Sequence, residues 1–83
     1  MRDKIMIVFQ RNDTGEVMDL EIPTNISIAE LIYGLNIGLK LGIDMNDPAG
    51  CYLRSENPIA LLKGEGLVEE YKLHDGSKII YDR

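Results

Sequence analysis

SIAELIYGLNIGLKLGI, residues 27–43, carries the start, the core-facing stripe and the stop of one amphipathic helix. Ser27 followed three residues later by Glu30 spells a capping box, in which the hydroxyl and the carboxylate satisfy backbone N–H groups that a helix start leaves orphaned. Ile28, Leu31, Ile32, Leu35 and Leu39 then recur at i, i+3, i+4, i+7 and i+11. At 100° per residue that spacing makes one apolar stripe, the face a helix turns to a core. Gly42 stands where a left-handed residue ends a helix, with Ile43 to pack back on the last turn. The spacing predicts roughly 14 helical residues starting at about Ile28, about 21 Å at 1.5 Å each.

Outward from the helix, the patterns have period two. Residues 4–10 (Lys-Ile-Met-Ile-Val-Phe-Gln) are rich in β-branched and aromatic types, and in 16–22 Met18, Leu20 and Ile22 alternate with Asp19 and Glu21. Both read as strands. Arg11-Asn12-Asp13-Thr14-Gly15 between them is hairpin-turn chemistry, and Pro23, with no N–H, stops the ladder. After the helix, Asp44 to Gly50 reads as loop and Cys51 to Arg54 as a third strand broken by Asn57-Pro58. Ile59 to Lys63 reads as a short fourth strand, Gly64-Glu65-Gly66 as a turn, and Leu67 to Leu73 as a connection with one turn of 3₁₀ helix. Asp75-Gly76 marks a last turn before a closing strand at Lys78 to Tyr81.

One helix with one apolar stripe and a sheet of four or five strands with one face to cover satisfy each other by packing together. A right-handed crossover after the N-terminal hairpin lets the last strand lie parallel to the first at the centre of the sheet. The expectation is an α+β protein with the β-grasp topology, a mixed four- to five-stranded sheet with one long helix packed across it, in one domain spanning residues 1–83.

Composition narrows the function. Nine basic against fourteen acidic residues give a net charge of −5, which repels nucleic acid and anionic lipid. The apolar runs are far shorter than the ~20 residues needed to cross a bilayer. Met1-Arg2-Asp3-Lys4 leads straight into a strand pattern rather than a signal peptide. One cysteine, Cys51, makes neither an internal disulfide nor a Cys-x-x-Cys metal site. A cytoplasmic location is expected.

Chemical motifs are weak throughout. Asp44-Met45-Asn46-Asp47 resembles the start of a calcium loop, but Ala49 and Ser55 occupy the places where the EF-hand requires Gly and an acid. A Cys51–His74 dyad has no spacing to recommend it. Gly64-Glu65-Gly66 lacks the lysine and hydroxyl of a P-loop. The expectation is no catalytic residue, no metal and no cofactor. One surface, on the helix, exceeds structural need instead, and the outer face of the sheet is a second candidate. Tyr33, Ile37 and Leu41 recur at i, i+4 and i+8 opposite the core stripe, beside Gly34 and Gly38, where small residues admit another backbone. The competing reading is that loops cover this face or that Leu41 turns inward at the helix end. On the sheet, Met6, Val8 and Ile80 alternate with the inward residues Ile5, Ile7, Phe9, Ile79 and Tyr81, with Arg54 at the rim. There the competing reading is ordinary β-propensity.

The helix entry Ser27-Ile28, its exit Leu41-Gly42-Ile43, and Tyr71-x-Leu73-x-Asp75-Gly76-Ser77 resemble ubiquitin-like proteins over the whole chain. Gly50-Cys51-Tyr52-Leu53-Arg54, Gly64-Glu65 and Leu73-His74-Asp75-Gly76-Ser77 most resemble the YukD/EsaB group associated with bacterial type VII secretion. That resemblance implies a non-catalytic accessory or regulatory protein whose partners are proteins of the secretion machinery. A free-standing protein-binding or self-associating β-grasp module, such as a homodimer, is the alternative. Tyr81-Asp82-Arg83 carries no Gly-Gly, whose bare backbone suits a terminus for adenylation, so conjugation to targets is not expected.

Overall fold

A computed structural model describes residues 3–47 and 49–82. Met1, Arg2, Pro48 and Arg83, on which parts of the N-terminal, calcium-loop and chain-end readings fall, lie outside them. The elements are β1 (Lys4–Arg11), β2 (Val17–Pro23), α1 (Ile28–Leu39), β3 (Leu53–Glu56), β4 (Ala60–Leu62), a 3₁₀ turn (Val68–Tyr71) and β5 (Lys78–Tyr81). The strands form one five-stranded sheet in the order β2-β1-β5-β3-β4. β1 is antiparallel to β2 and parallel to β5, while β3 is antiparallel to both β5 and β4.

The parallel β1·β5 pairing is set by the turn before β5. Asp75 Oδ1 accepts from the Met6 N–H at 2.9 Å, and the Gly76 N–H donates to the Met6 carbonyl at 2.9 Å. Gly76 has φ +91°, a conformation that a side chain would strain. With this register fixed, Ile7, Phe9 and Ile79 fall on the covered face and are fully buried. Ile28, Leu31 and Ile32 meet them from α1, and Leu35 and Leu39 pack half-buried beside them. Each fully buried aliphatic or aromatic side chain contributes about 1.5–3 kcal/mol.

The helix starts as expected: the Glu30 N–H donates to Ser27 Oγ at 3.0 Å and the Ser27 N–H to Glu30 Oε1 at 3.2 Å. It ends earlier than Gly42. Lys40 turns left-handed at φ 54°, and the Lys40 and Leu41 N–H groups both reach the Asn36 carbonyl, the latter at 3.1 Å. That six-to-one bond belongs to a Schellman turn. Asn36 then holds the exit, its Nδ2 donating to the Ile43 carbonyl at 2.8 Å and its Oδ1 accepting the Ile43 N–H at 2.9 Å. A polar side chain in the helix thus acts as a strand-like partner for the following loop.

The third strand lies two residues later than expected, at Leu53–Glu56. Buried serine hydroxyls explain the extension. Ser55 Oγ donates to the Pro58 carbonyl and Ser77 Oγ to the Asn57 carbonyl, each at 2.7 Å. The bend at Asn57-Pro58 is tied back to the sheet, so pairing continues up to it.

Candidate interaction surfaces

On the outward side of α1, Tyr33 is 56% and Ile37 60% exposed. Gly34 and Gly38 beside them are exposed, and a Cβ on either would meet nothing within 4 Å. Leu41 corrects the sequence reading. It is 5% exposed and belongs to the core, because the chain leaves the helix at Lys40 and turns inward. Its carbonyl accepts the buried Tyr81 hydroxyl at 2.7 Å, and Arg11 Nη1 donates to the Leu39 carbonyl at 2.8 Å. The helix end is bound to β1 and β5, and the free stripe shrinks to Tyr33 and Ile37.

The uncovered face of the sheet differs from its expected form. The strand registers place Val17, Gln10, Ile80, Arg54 and Leu61 in one row across it. Ile80 is only 3% exposed, a second correction. Its neighbours are polar and linked to one another. Arg54 Nη2 lies 3.2 Å from Asp82 and Nη1 3.9 Å from Glu56, and Lys78 Nζ lies 3.8 Å from Glu56. Asn12 Nδ2 donates to Asp82 at 3.0 Å and Gln10 Nε2 to Asn12 Oδ1 at 2.7 Å. Long side chains lay their stems on apolar surface while keeping their heads in water, so this network covers Ile80. Met6 remains 45% exposed, and Val8 is half-buried.

Sequence reasoning missed Val17, Ile59 and Leu61, which are 61%, 87% and 49% exposed. Leu61 and Val17 owe their outward placement to registers that period-two alternation alone does not fix. Ile59 follows Pro58 on the bend before β4, where among the described residues none covers it.

The candidate chemical groups are kept apart. The antiparallel β3·β5 pairing puts Cys51, ahead of β3, at the opposite end of the sheet from His74, ahead of β5. Cys51 Sγ sits 3.8 Å from Met45 Sδ, and His74 Nδ1 is 2.9 Å from the Asp75 carbonyl. Asp44 and Asp47 each accept a backbone N–H two residues on, from Asn46 and Ala49. No helix among the described residues is long and apolar enough to cross a membrane.

No protein-family profile and no curated protein sequence matches this chain. Solved structures do. The ubiquitin-like domain of mouse tubulin-specific chaperone e is similar with a TM-score of 0.71 at 10% identity, over 94% of this chain and 84% of that one. The ubiquitin of Caldiarchaeum subterraneum is similar at 0.64 and 17% identity, over 93% and 89%. The ubiquitin-like domain of Plasmodium falciparum Dsk2 is similar at 0.62 and 16% identity, over 95% and 99%. At these identities the likeness is one of fold, and the fold of this chain is the ubiquitin-like β-grasp.

Proposed function

We propose that the chain is a non-catalytic protein-binding adaptor, a cytoplasmic accessory component of a bacterial type VII secretion apparatus. The observation that carries the binding role is the bare helix face. Tyr33 and Ile37 are 56% and 60% exposed on a 12-residue helix whose other face fills the core. Two helix-interior glycines adjoin them, each costing about 1 kcal/mol relative to alanine. Isolated surface hydrophobics need no explanation, but an aromatic and an aliphatic residue one turn apart beside bare backbone form a contact surface. Support for the secretion setting is the resemblance of Gly50-Cys51-Tyr52-Leu53-Arg54 and Leu73 to Ser77 to the YukD/EsaB group. The burial of Ile80 beneath charged side chains favours the helix over the centre of the sheet as the contact surface.

Affinity capture from lysate of the native host, with solubilised membranes, tests both parts of the reading. The wild type is expected to retain components of the secretion apparatus, and the Tyr33→Asp/Ile37→Asp variant to lose them while keeping its melting temperature. Capture unaffected by the double substitution removes the helix face from the proposal. Retention of proteins unrelated to secretion shifts the reading to a free-standing β-grasp binding module.

A further inference from the structure

Beside the helix face lies a groove that no sequence motif announced. Two open depressions, about 410 and 460 Å³, meet at Ala29 and Met45. The first is bounded by Glu30, Tyr33 and Glu65, and the second by Cys51, Lys63 and Gly64. One wall is rigid. The Ile28 and Ala29 N–H groups donate to the Gly66 and Gly64 carbonyls at 2.8 and 2.9 Å, stitching the turn after β4 to the helix start. Tyr71 braces that turn from behind, its hydroxyl donating to the Lys63 carbonyl at 3.2 Å. Its ring crowds Gly66, where a Cβ would stand 3.2 Å away and the ring would have to shift to admit it. The other wall is soft: Met45 and Cys51, half-buried with their sulfurs 3.8 Å apart, are polarizable groups, and the unbranched Met adapts to different apolar shapes.

We propose that this groove docks a short segment of a partner protein that combines aliphatic side chains with an arginine or lysine. The proposal rests on the protein-binding reading above and adds the partner's chemistry. Glu30 and Glu65 are exposed on the rim of the first depression. Glu30 Oε1 accepts the Ser27 N–H, and among the described residues no cation pairs with either carboxylate. A guanidinium between them lies beside the exposed Tyr33 ring, where a cation is held by the π-face. Aliphatic neighbours in the segment reach Met45 and Cys51. Lys63, at the far end, gives the groove a polarity: it repels a second cation and favours an acidic or neutral residue there. The net charge of −5 steers basic segments inward and opposes a second copy of this chain as the occupant.

Panning a random-peptide phage library against the folded chain, then titrating the enriched peptides by amide NMR, tests the proposal. Enriched peptides are expected to carry Arg or Lys next to Leu, Ile, Met or Val. They should shift Ala29, Tyr33, Met45, Cys51 and Gly64, and bind more weakly as salt is raised. Glu65→Lys, on an exposed turn, should weaken them roughly tenfold by replacing an attraction with a repulsion, and Met45→Glu should do so through the apolar contact. The groove is overturned by no enrichment, by acidic or uncharged consensus peptides, by indifference to Glu65→Lys, or by self-association through these residues. Enriched peptides that shift Ile37 and Gly38 but not Met45 and Cys51 overturn the groove while leaving the protein-binding reading standing.

Discussion

The two faces that alternate away from the core look alike in sequence and differ in the folded chain. On α1, the outward Tyr33 and Ile37 are bare. On the sheet, outward Ile80 is covered, because β5 is an interior strand with Gln10 and Arg54 on either side of Ile80 and the Lys78–Glu56 pair in the next row. An outward residue on a helix finds its nearest side chains one turn away on the same helix, whereas a residue in an interior strand has cross-strand neighbours on both sides. An outward apolar residue therefore stays exposed on a lone helix more readily than in the middle of a sheet.

Ile80→Ala and Ile37→Ala should therefore differ most in their cost. Truncating the covered residue should cost about 2–5 kcal/mol, and at about 4–8 °C per kcal/mol the melting temperature should fall by on the order of 10 °C or more. Ile37→Ala should stay within about 0.5 kcal/mol. Urea unfolding of both variants measures the difference. Equal effects would mean that the polar network does not cover Ile80 in solution.

How far the sequence could be read follows the same division. Local signals were sufficient for the Ser27/Glu30 cap, the Asp75-Gly76 turn and the β5 boundaries, since each depends on residues within a few positions of one another. The β-grasp order followed from one helix and one sheet having to cover each other. What could not be read were long-range closures. Leu41 is buried because Arg11 and Tyr81, distant in sequence, bind the Leu39 carbonyl at the helix end and the Leu41 carbonyl just beyond it. Ile80 is buried because registers bring Gln10 and Arg54 beside it. The groove depends on Tyr71 bracing Gly66 and on Met45 meeting Cys51, neither of which has a periodic signature.

A substitution of intermediate effect sharpens the contrast at the end of α1. Asn36 makes both of its bonds to the Ile43 backbone, and Asn36→Ala leaves that N–H and carbonyl without side-chain partners. The loss should be about 1–3 kcal/mol. Hydrogen exchange should locate it: the Ile43 amide should lose protection ahead of those in β1. Uniform loss across the chain would instead make the helix exit part of the global cooperative unit.

The smallest expected effect is electrostatic and lies on the hairpin that supports the same helix end. Arg11 donates through Nε and Nη2 to Asp13 at 3.1 and 2.8 Å, while its Nη1 holds the Leu39 carbonyl. The Arg11 hydrogen bonds, ahead of its charge, hold the Asp13 carboxyl below the usual aspartate range despite some loss of solvation, and Asp13 raises Arg11 in return. A carboxylate with a depressed folded-state pKa stabilises the fold above its unfolded value, about 3.9 for aspartate. That contribution fades as pH falls through the lower folded value. Asp13→Asn should therefore destabilise slightly at neutral pH, and the gap to wild type should close on acidification below about pH 4. Urea midpoints across that range measure it. A gap that stayed constant with pH would assign the effect to Arg11 positioning at the helix end, since loss of the carboxylate charge would then contribute nothing.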